Sequence, residues 1–167
     1  MASYTARVCP RPVIAYHSSG RVAGSPRDTV SLMRMGFSGN PVGFRCVKLI
    51  AEAAAALPLV LTSEGRRYEA LEGLRLVEQP NGAQGRAEFF EALYGQLLLS
   101  GNGYVEAVSG MSEAPAELHV LRSDRMSLVP GADGWPAAYE YAVGARKHRF
   151  RVGDGPSPVC HIRSFHP

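Results

Sequence analysis

Several short stretches of this 167-residue sequence carry residue types that could do chemistry. The first is "LLLSGNGYVEAV", residues 97–108, where two glycines flank an asparagine in the manner of a phosphate-cradling loop. Such a loop needs a strand, then glycines, then a helix whose first free N–H groups face the anion. Here the spacing of apolar residues is helical before the glycines and alternating after them, so the order is reversed. A helix end presents carbonyls, which repel phosphate. Gly101 is therefore expected to close a helix in the left-handed conformation, with Asn102 and Gly103 turning the chain into a strand.

The stretch "ARKHRFR" crowds cations around Phe150. As a strand it sets Arg146, His148 and Phe150 on one side and Lys147, Arg149 and Arg151 on the other. That second set makes a basic stripe, read either as a DNA contact or as a solvated sheet face. "CHIRSFHP" brings Cys160, His161 and His166 together in sequence, the residue types of a metal site. In an extended strand Cys160 and His161 point to opposite faces, so one ion does not collect all three. His17, His119 and His148 are isolated. No serine sits in a strand-to-helix elbow, and Asp124 between Arg122 and Arg125 reads as a charged turn. Trp135, beside Gly134 and Pro136, is expected to cap the core of the strand region. No catalytic, metal or cofactor residue is assigned.

These stretches need elements to position them. "NPVGFRCVKLIAEAAAALP" is bracketed as a helix, because Asn40 can cap it, Pro41 suits its first turn and Pro58 cannot continue it. Val42, Cys46, Leu49, Ile50, Ala53 and Leu57 recur at three- and four-residue steps and are expected to form its packed face. "PLVLTS" reads as a short strand, followed by a turn at Glu64 and Gly65. "ALEGLRLVEQ" reads as a short helix broken by "PNGAQG". A second long helix is expected from about Gly85 to Ser100, with Phe89, Phe90, Leu93, Tyr94, Leu97 and Leu98 forming a broad apolar stripe.

Beyond Gly103 the alternating runs "YVEAV", "ELHVL", "MSLVP", "YEYAV", "HRFRV" and "VCHIRSF" predict an antiparallel meander of five or six strands. Helices first and strands after give an α+β class, with N-terminal helices packed on an antiparallel β meander. Residues 1–39 lack a sustained period and read as a flexible N-terminal arm, with one short strand at Val13 to Tyr16. Residues 40–167 form the α+β domain.

Composition narrows the partners only a little. Eighteen Lys and Arg against 15 Asp and Glu leave a formal charge of +3, too mild for a dedicated nucleic-acid binder. Cys9, Cys46 and Cys160 are odd in number and widely spaced, the pattern of buried thiols in a reducing compartment rather than a disulfide framework. No apolar run is long enough to span a bilayer, and the start lacks the order of a signal peptide. The expectation is a soluble protein made in the cytoplasm.

Taken together, "FFEALYGQLLLSGNGYVEAV", "LHVLRSDRMSLVPGADGWPAAYEY", "CHIRSFHP" and the upstream "NPVGFRCVKLIAEAAAALPLVL" resemble the portal proteins of long-tailed double-stranded DNA phages and gene transfer agents. The resemblance runs from Asn40 to Pro167 and rests on the order and spacing of these stretches. It implies a structural subunit of a closed, commonly dodecameric ring at the capsid vertex of a virion or gene transfer agent particle, assembled in the bacterial cytoplasm. Double-stranded DNA passes through that ring during packaging and ejection. The implied partners are other portal subunits, the capsid protein, a head-tail adaptor and a terminase motor, with no membrane and no cofactor.

In that family the chain continues past the equivalent of "CHIRSFHP" into stem helices, a clip that meets the terminase, a tunnel loop and a crown. None of these is present, so the resemblance implies the N-terminal, wing-region portion and carries over no DNA-facing or motor-facing residue. From the residues alone, two other readings stay open. One is a stand-alone nucleic-acid-binding module using Lys147, Arg149 and Arg151. The other is an enzyme acting on a phosphorylated small molecule through Gly101 to Gly103 and nearby arginines.

Overall fold

The computed structural model describes residues 29–68, 72–110, 114–132, 134–153 and 157–164. The expected strand at Val13 to Tyr16, together with Cys9, His17 and His166, lies outside them. Helical turns precede Asn40: α1 (Thr29–Leu32) runs into a wide turn over Met33–Ser38, closed by the Gly39 N–H on the Arg34 carbonyl at 2.8 Å. Helix α2 (Pro41–Ala55) then begins as expected, with Asn40 Oδ1 accepting from the N–H groups of Val42 and Gly43 at 3.0 and 3.1 Å. Gly43 is needed here, because a Cβ would strike the Gly36 carbonyl of the preceding turn.

A tight hairpin, β1 (Leu61–Ser63) and β2 (Arg66–Tyr68), turns through Glu64 and Gly65, both at positive φ. Its second strand was not foreseen. Helix α3 (Glu72–Glu78) leads through "PNGAQG" to α4 (Arg86–Ser100).

Helices α2 and α4 lie antiparallel. Arg86, at the start of α4, donates to the carbonyls of Ala55 (3.3 Å) and Leu57 (2.7 Å) at the end of α2, placing a cation on the negative end of that helix. Lys48 pairs with Glu91 farther along at 2.5 Å.

The packed face of α2 is not the one its large aliphatic residues mark. Ala51 and Ala55 are buried, whereas Val42, Leu49, Ile50 and Leu57 are 71, 54, 55 and 65% exposed and Cys46 is exposed as well. Small side chains let α4 approach closely, and the bulky stripe points the other way.

The six expected strands all form: β3 (Asn102–Ser109), β4 (Pro115–Leu121), β5 (Met126–Pro130), β6 (Pro136–Val143), β7 (Arg146–Arg151) and β8 (Val159–Arg163). They divide into two three-stranded antiparallel sheets, β4-β3-β8 and β5-β6-β7, rather than one meander. A short 3₁₀ turn, Ser123–Arg125, carries the chain from one sheet to the other, and β8 returns to the free edge of β3. Alternation tells which face a residue takes but not which strand lies beside it.

The result is three layers. Phe89 and Leu93 of α4 pack on Val105 of β3, with Phe90, Leu97, Leu118 and Val120 around them. On the other face of that sheet Tyr104, Leu121 and Val159 meet Tyr139 of the second sheet, flanked by Met126, Tyr141 and Phe150.

The loop after α3 joins the helical layer to the sheet. Pro80 and Asn81 are buried. Asn81 Oδ1 accepts from the N–H groups of Ala83 (3.0 Å) and Gln84 (2.9 Å), while its Nδ2 donates to the Leu118 carbonyl (3.0 Å) and to Gln84 Oε1 (3.2 Å). The Leu118 N–H in turn donates to the Pro80 carbonyl at 2.7 Å. Replacing Asn81 with alanine takes the partner from two donors and two acceptors at the loop and β4, and is expected to cost at least about 2 kcal/mol in urea unfolding. A loss within experimental error would mean that water replaces the side chain freely.

Candidate functional site

The glycine loop is a joint. Gly101 ends α4 at φ 69°, its N–H donating to the Leu97 carbonyl at 2.8 Å, and its own carbonyl accepts from the Ser164 N–H at 2.8 Å. At Gly103 a Cβ would sit 2.7 Å from Leu93 Cδ1 and 3.3 Å from Leu97 Cγ, so glycine there lets α4 lie close on the start of β3. Both glycines serve the helix-to-strand connection, and neither forms an anion cradle at a helix N-terminus.

The basic stripe has the expected sidedness. Phe150 turns toward the core between the sheets. Lys147 and Arg149 lie on the opposite face, where both bracket Glu140 of β6, at 3.6 and 3.7 Å. Arg151 stands across from Ala138 in the same ladder. Two cations on one carboxylate, with Arg151 beyond them, leave the row net positive and exposed.

Strand β8 separates the residues of the "CHIRSFHP" stretch. Cys160 pairs with Val105, on the side toward α4, and His161 pairs with Tyr104, on the side toward the second sheet. His161 stacks on Tyr104 with centroids 4.3 Å apart, meets Tyr139 edge-on, and shares a 2.9 Å contact between its Nε2 and Asn102 Oδ1. With Nε2 protonated, Nδ1 faces the Tyr139 hydroxyl at 3.5 Å. Burial, and then the charge of Arg163, holds the imidazole pKa below its ordinary value. The cluster is a polar hinge pin between the two sheets. Nothing in the sequence pointed to it, because Asn102, Tyr104, Tyr139 and His161 come from three strands.

Asp124 forms the charged turn expected of it, receiving Arg122 Nε and Nη2 at 3.0 and 2.8 Å, and the guanidinium holds its carboxyl below the usual carboxylate range. His119 is not isolated, since its Nε2 lies 2.9 Å from Glu117 Oε2. Trp135 does not cap the core: it is exposed in the β5–β6 turn, where its carbonyl closes the loop by accepting from the Gly131 N–H. Among the described residues no three His, Cys, Asp or Glu side chains gather as metal ligands, and no helix is long and apolar enough to cross a membrane.

One concavity lies between α2 and α4. Phe37, Phe44, Val47, Ala51, Ala92 and Leu99 line an apolar groove of about 190 Å³, with the Lys48–Glu91 pair at its side. It offers burial without a nucleophile, base or cluster of anion donors.

Residues 41–167 match the family model described as phage portal protein. The chain belongs to the phage portal protein family. It is 31% identical over 131 residues to an uncharacterized protein of Rickettsia bellii (strain RML369-C), and 28% identical over 131 residues to one of Rickettsia felis (strain ATCC VR-1525 / URRWXCal2). Each match covers 77% of this chain and 34% of the relative, so the portal-family chain spans about a third of the length of these curated relatives.

Among solved structures, the neck of an empty gene transfer agent (GTA) particle computed with C6 symmetry superposes with a TM-score of 0.78 at 66% identity, covering 89% of this chain and 40% of that one. The neck of a native GTA particle computed with C12 symmetry gives 0.72 at 62%, covering 89% and 38%. The virion of a native GTA particle gives 0.72 at 61%, covering 90% and 39%.

The His161 cluster makes the stability of this portal-family domain depend on pH. The unfolded chain binds a proton at His161 more readily than the folded one, so this contribution is complete above the ordinary imidazole value near 6.5 and is lost as pH falls through and below it. In urea unfolding at about pH 7.5 and about pH 5, His161→Phe is expected to lose less stability between the two than the native chain, whatever its absolute value. An unchanged pH slope would mean that the imidazole is not sheltered.

Proposed function

We propose that this chain is the N-terminal, wing-region part of a portal subunit, a structural component of the ring at the capsid vertex of a gene transfer agent particle. The observation that carries the reading is the identity of 61–66% to chains of GTA necks and virion over about nine tenths of this chain. Identity at that level supports a shared mode of assembly along with the shared fold. A closed ring needs two different complementary surfaces on every subunit, and the broad exposed apolar surfaces of this domain suit such contacts.

In this reading the chain is not an enzyme. Its glycine loop is a helix terminus, which fits a conduit whose energy comes from a separate motor. Its partners are other portal subunits in a dodecameric ring, the capsid protein, a head-tail adaptor, a terminase engaged through other regions of the subunit, and the double-stranded DNA that passes through during packaging and ejection. It resides in the particle, after assembly in the bacterial cytoplasm.

Two experiments test this. Native mass spectrometry of the protein as its gene encodes it is expected to give a closed ring, and a species that stays monomeric under all assembly conditions would overturn the reading. The exposed row of Lys147, Arg149 and Arg151 is proposed to touch DNA. Reversing the three to glutamate is expected to lower the DNA content of particles while their number and morphology hold. Unchanged DNA content would assign the row to solvent.

A further inference from the structure

We infer that the outer face of α2 is one half of the contact between neighbouring subunits, and that a second copy of this chain covers it. The inference rests on the ring reading above and adds the surface that closes the ring.

Helix α2 is apolar on two opposite sides. Its inner side, with Ala51 and Ala55, is used up against α4. Val42, Cys46, Leu49, Ile50 and Ala53 fall within one stripe on the far side, all exposed, and Leu57 just past the helix end is exposed as well. A helix apolar on both sides is ordinarily buried on both. The chain leaves this helix through Leu59, Val60 and Leu61, which are exposed too.

Together these side chains offer several hundred Å² of apolar surface, at the upper end of what a monomer exposes and of the order of the ~800 Å² that each partner brings to a stable interface. One flank of the helix is edged by ion pairs already made, Arg45–Glu52 at 3.4 Å and Lys48–Glu52 at 3.1 Å. An apolar centre with a satisfied polar margin is the anatomy of a contact between separately folded subunits. The neck chains described with sixfold and twelvefold symmetry are 62–66% identical over 89% of this chain, so a neighbouring copy is the partner that a ring brings to every subunit.

Cys46 lies in the middle of the stripe and reports on it directly. In the protein as its gene encodes it, maleimide labelling of Cys46, read by peptide mass spectrometry, is expected to be at least about tenfold slower in the assembled ring than in the unassembled subunit, because thiol reaction follows access. Equal, fast labelling in both would leave the face bare and overturn the inference. Equal, slow labelling in both would also overturn it, by showing that the subunit's own chain covers the face. If the native protein forms no ring at all, the ring reading fails first, and that outcome is visible before any label is added.

A second variant guards against local artefacts of the thiol. Ile50→Glu is expected to shift the protein from rings to monomers while leaving the thermal midpoint of the monomer unchanged, since the side chain is 55% exposed on the outer face of α2. Rings that assemble normally with Ile50→Glu would overturn the inference.

Discussion

The layers of this domain are registered by one buried amide. Asn81 uses both lone pairs and both hydrogens of its side chain, two toward its own loop, one toward Gln84 and one toward the backbone of β4. Asn81 is only 5% exposed, so each bond is worth more than on the surface and each loss leaves a stranded polar group. Because the Leu118 N–H also binds the Pro80 carbonyl, the loop is joined to the strand as though it were a short extra strand. That fixes where α4 starts relative to the central sheet. The apolar residues of α4 then meet Val105, and the helix end delivers the chain into β3.

Strand β3 inherits the consequence, since it is covered on both faces. Tyr104 looks toward the second sheet and Val105 toward α4, so one residue of register slip would exchange an aromatic hydroxyl for a small aliphatic side chain in two different cores. Gly103 relieves the crowding where the helix returns over the strand. Beyond the sheet, Tyr104 and His161 form the polar joint to Tyr139, so the second sheet hangs on a contact that is partly titratable. The Gln96 side chain adds a third tie, accepting from the Ser123 N–H and hydroxyl at 2.9 and 2.7 Å, which holds the turn between sheets to α4.

What was legible in the sequence was local. The caps of α2 and α4, the left-handed Gly101, all six strands of the second half and the sidedness of Lys147, Arg149 and Arg151 follow from dihedral preference and period, which act within a few residues. What was not legible needed distant partners. Asn81 sat in "PNGAQG", whose composition says turn and is silent about Leu118, 37 residues away. The division into two sheets depended on β5 not pairing with β4, and the far edge of β3 was then taken by β8. Tyr104, Tyr139 and His161 became a cluster only once three strands were paired. Trp135 failed as a core residue for a related reason: flanking Gly and Pro describe the turn, and the turn alone decides where the indole goes.

The inner and outer faces of α2 carry the lesson furthest. A period of three and four residues identifies an apolar face, and size suggests that the larger side chains belong inside. Both premises hold for a subunit that is complete alone. In this chain alanines face α4, where close approach is what matters, and the larger aliphatics are left outward, where a lone molecule would suffer for them in solubility. The stripe expected to pack is therefore the exposed one, and the proposal of a neighbouring subunit on it is what would give it a partner. In a protein proposed to act only as a ring, free energy withheld from the monomer core becomes available to assembly, and the helix whose outer face looks misplaced is where that transfer is most visible.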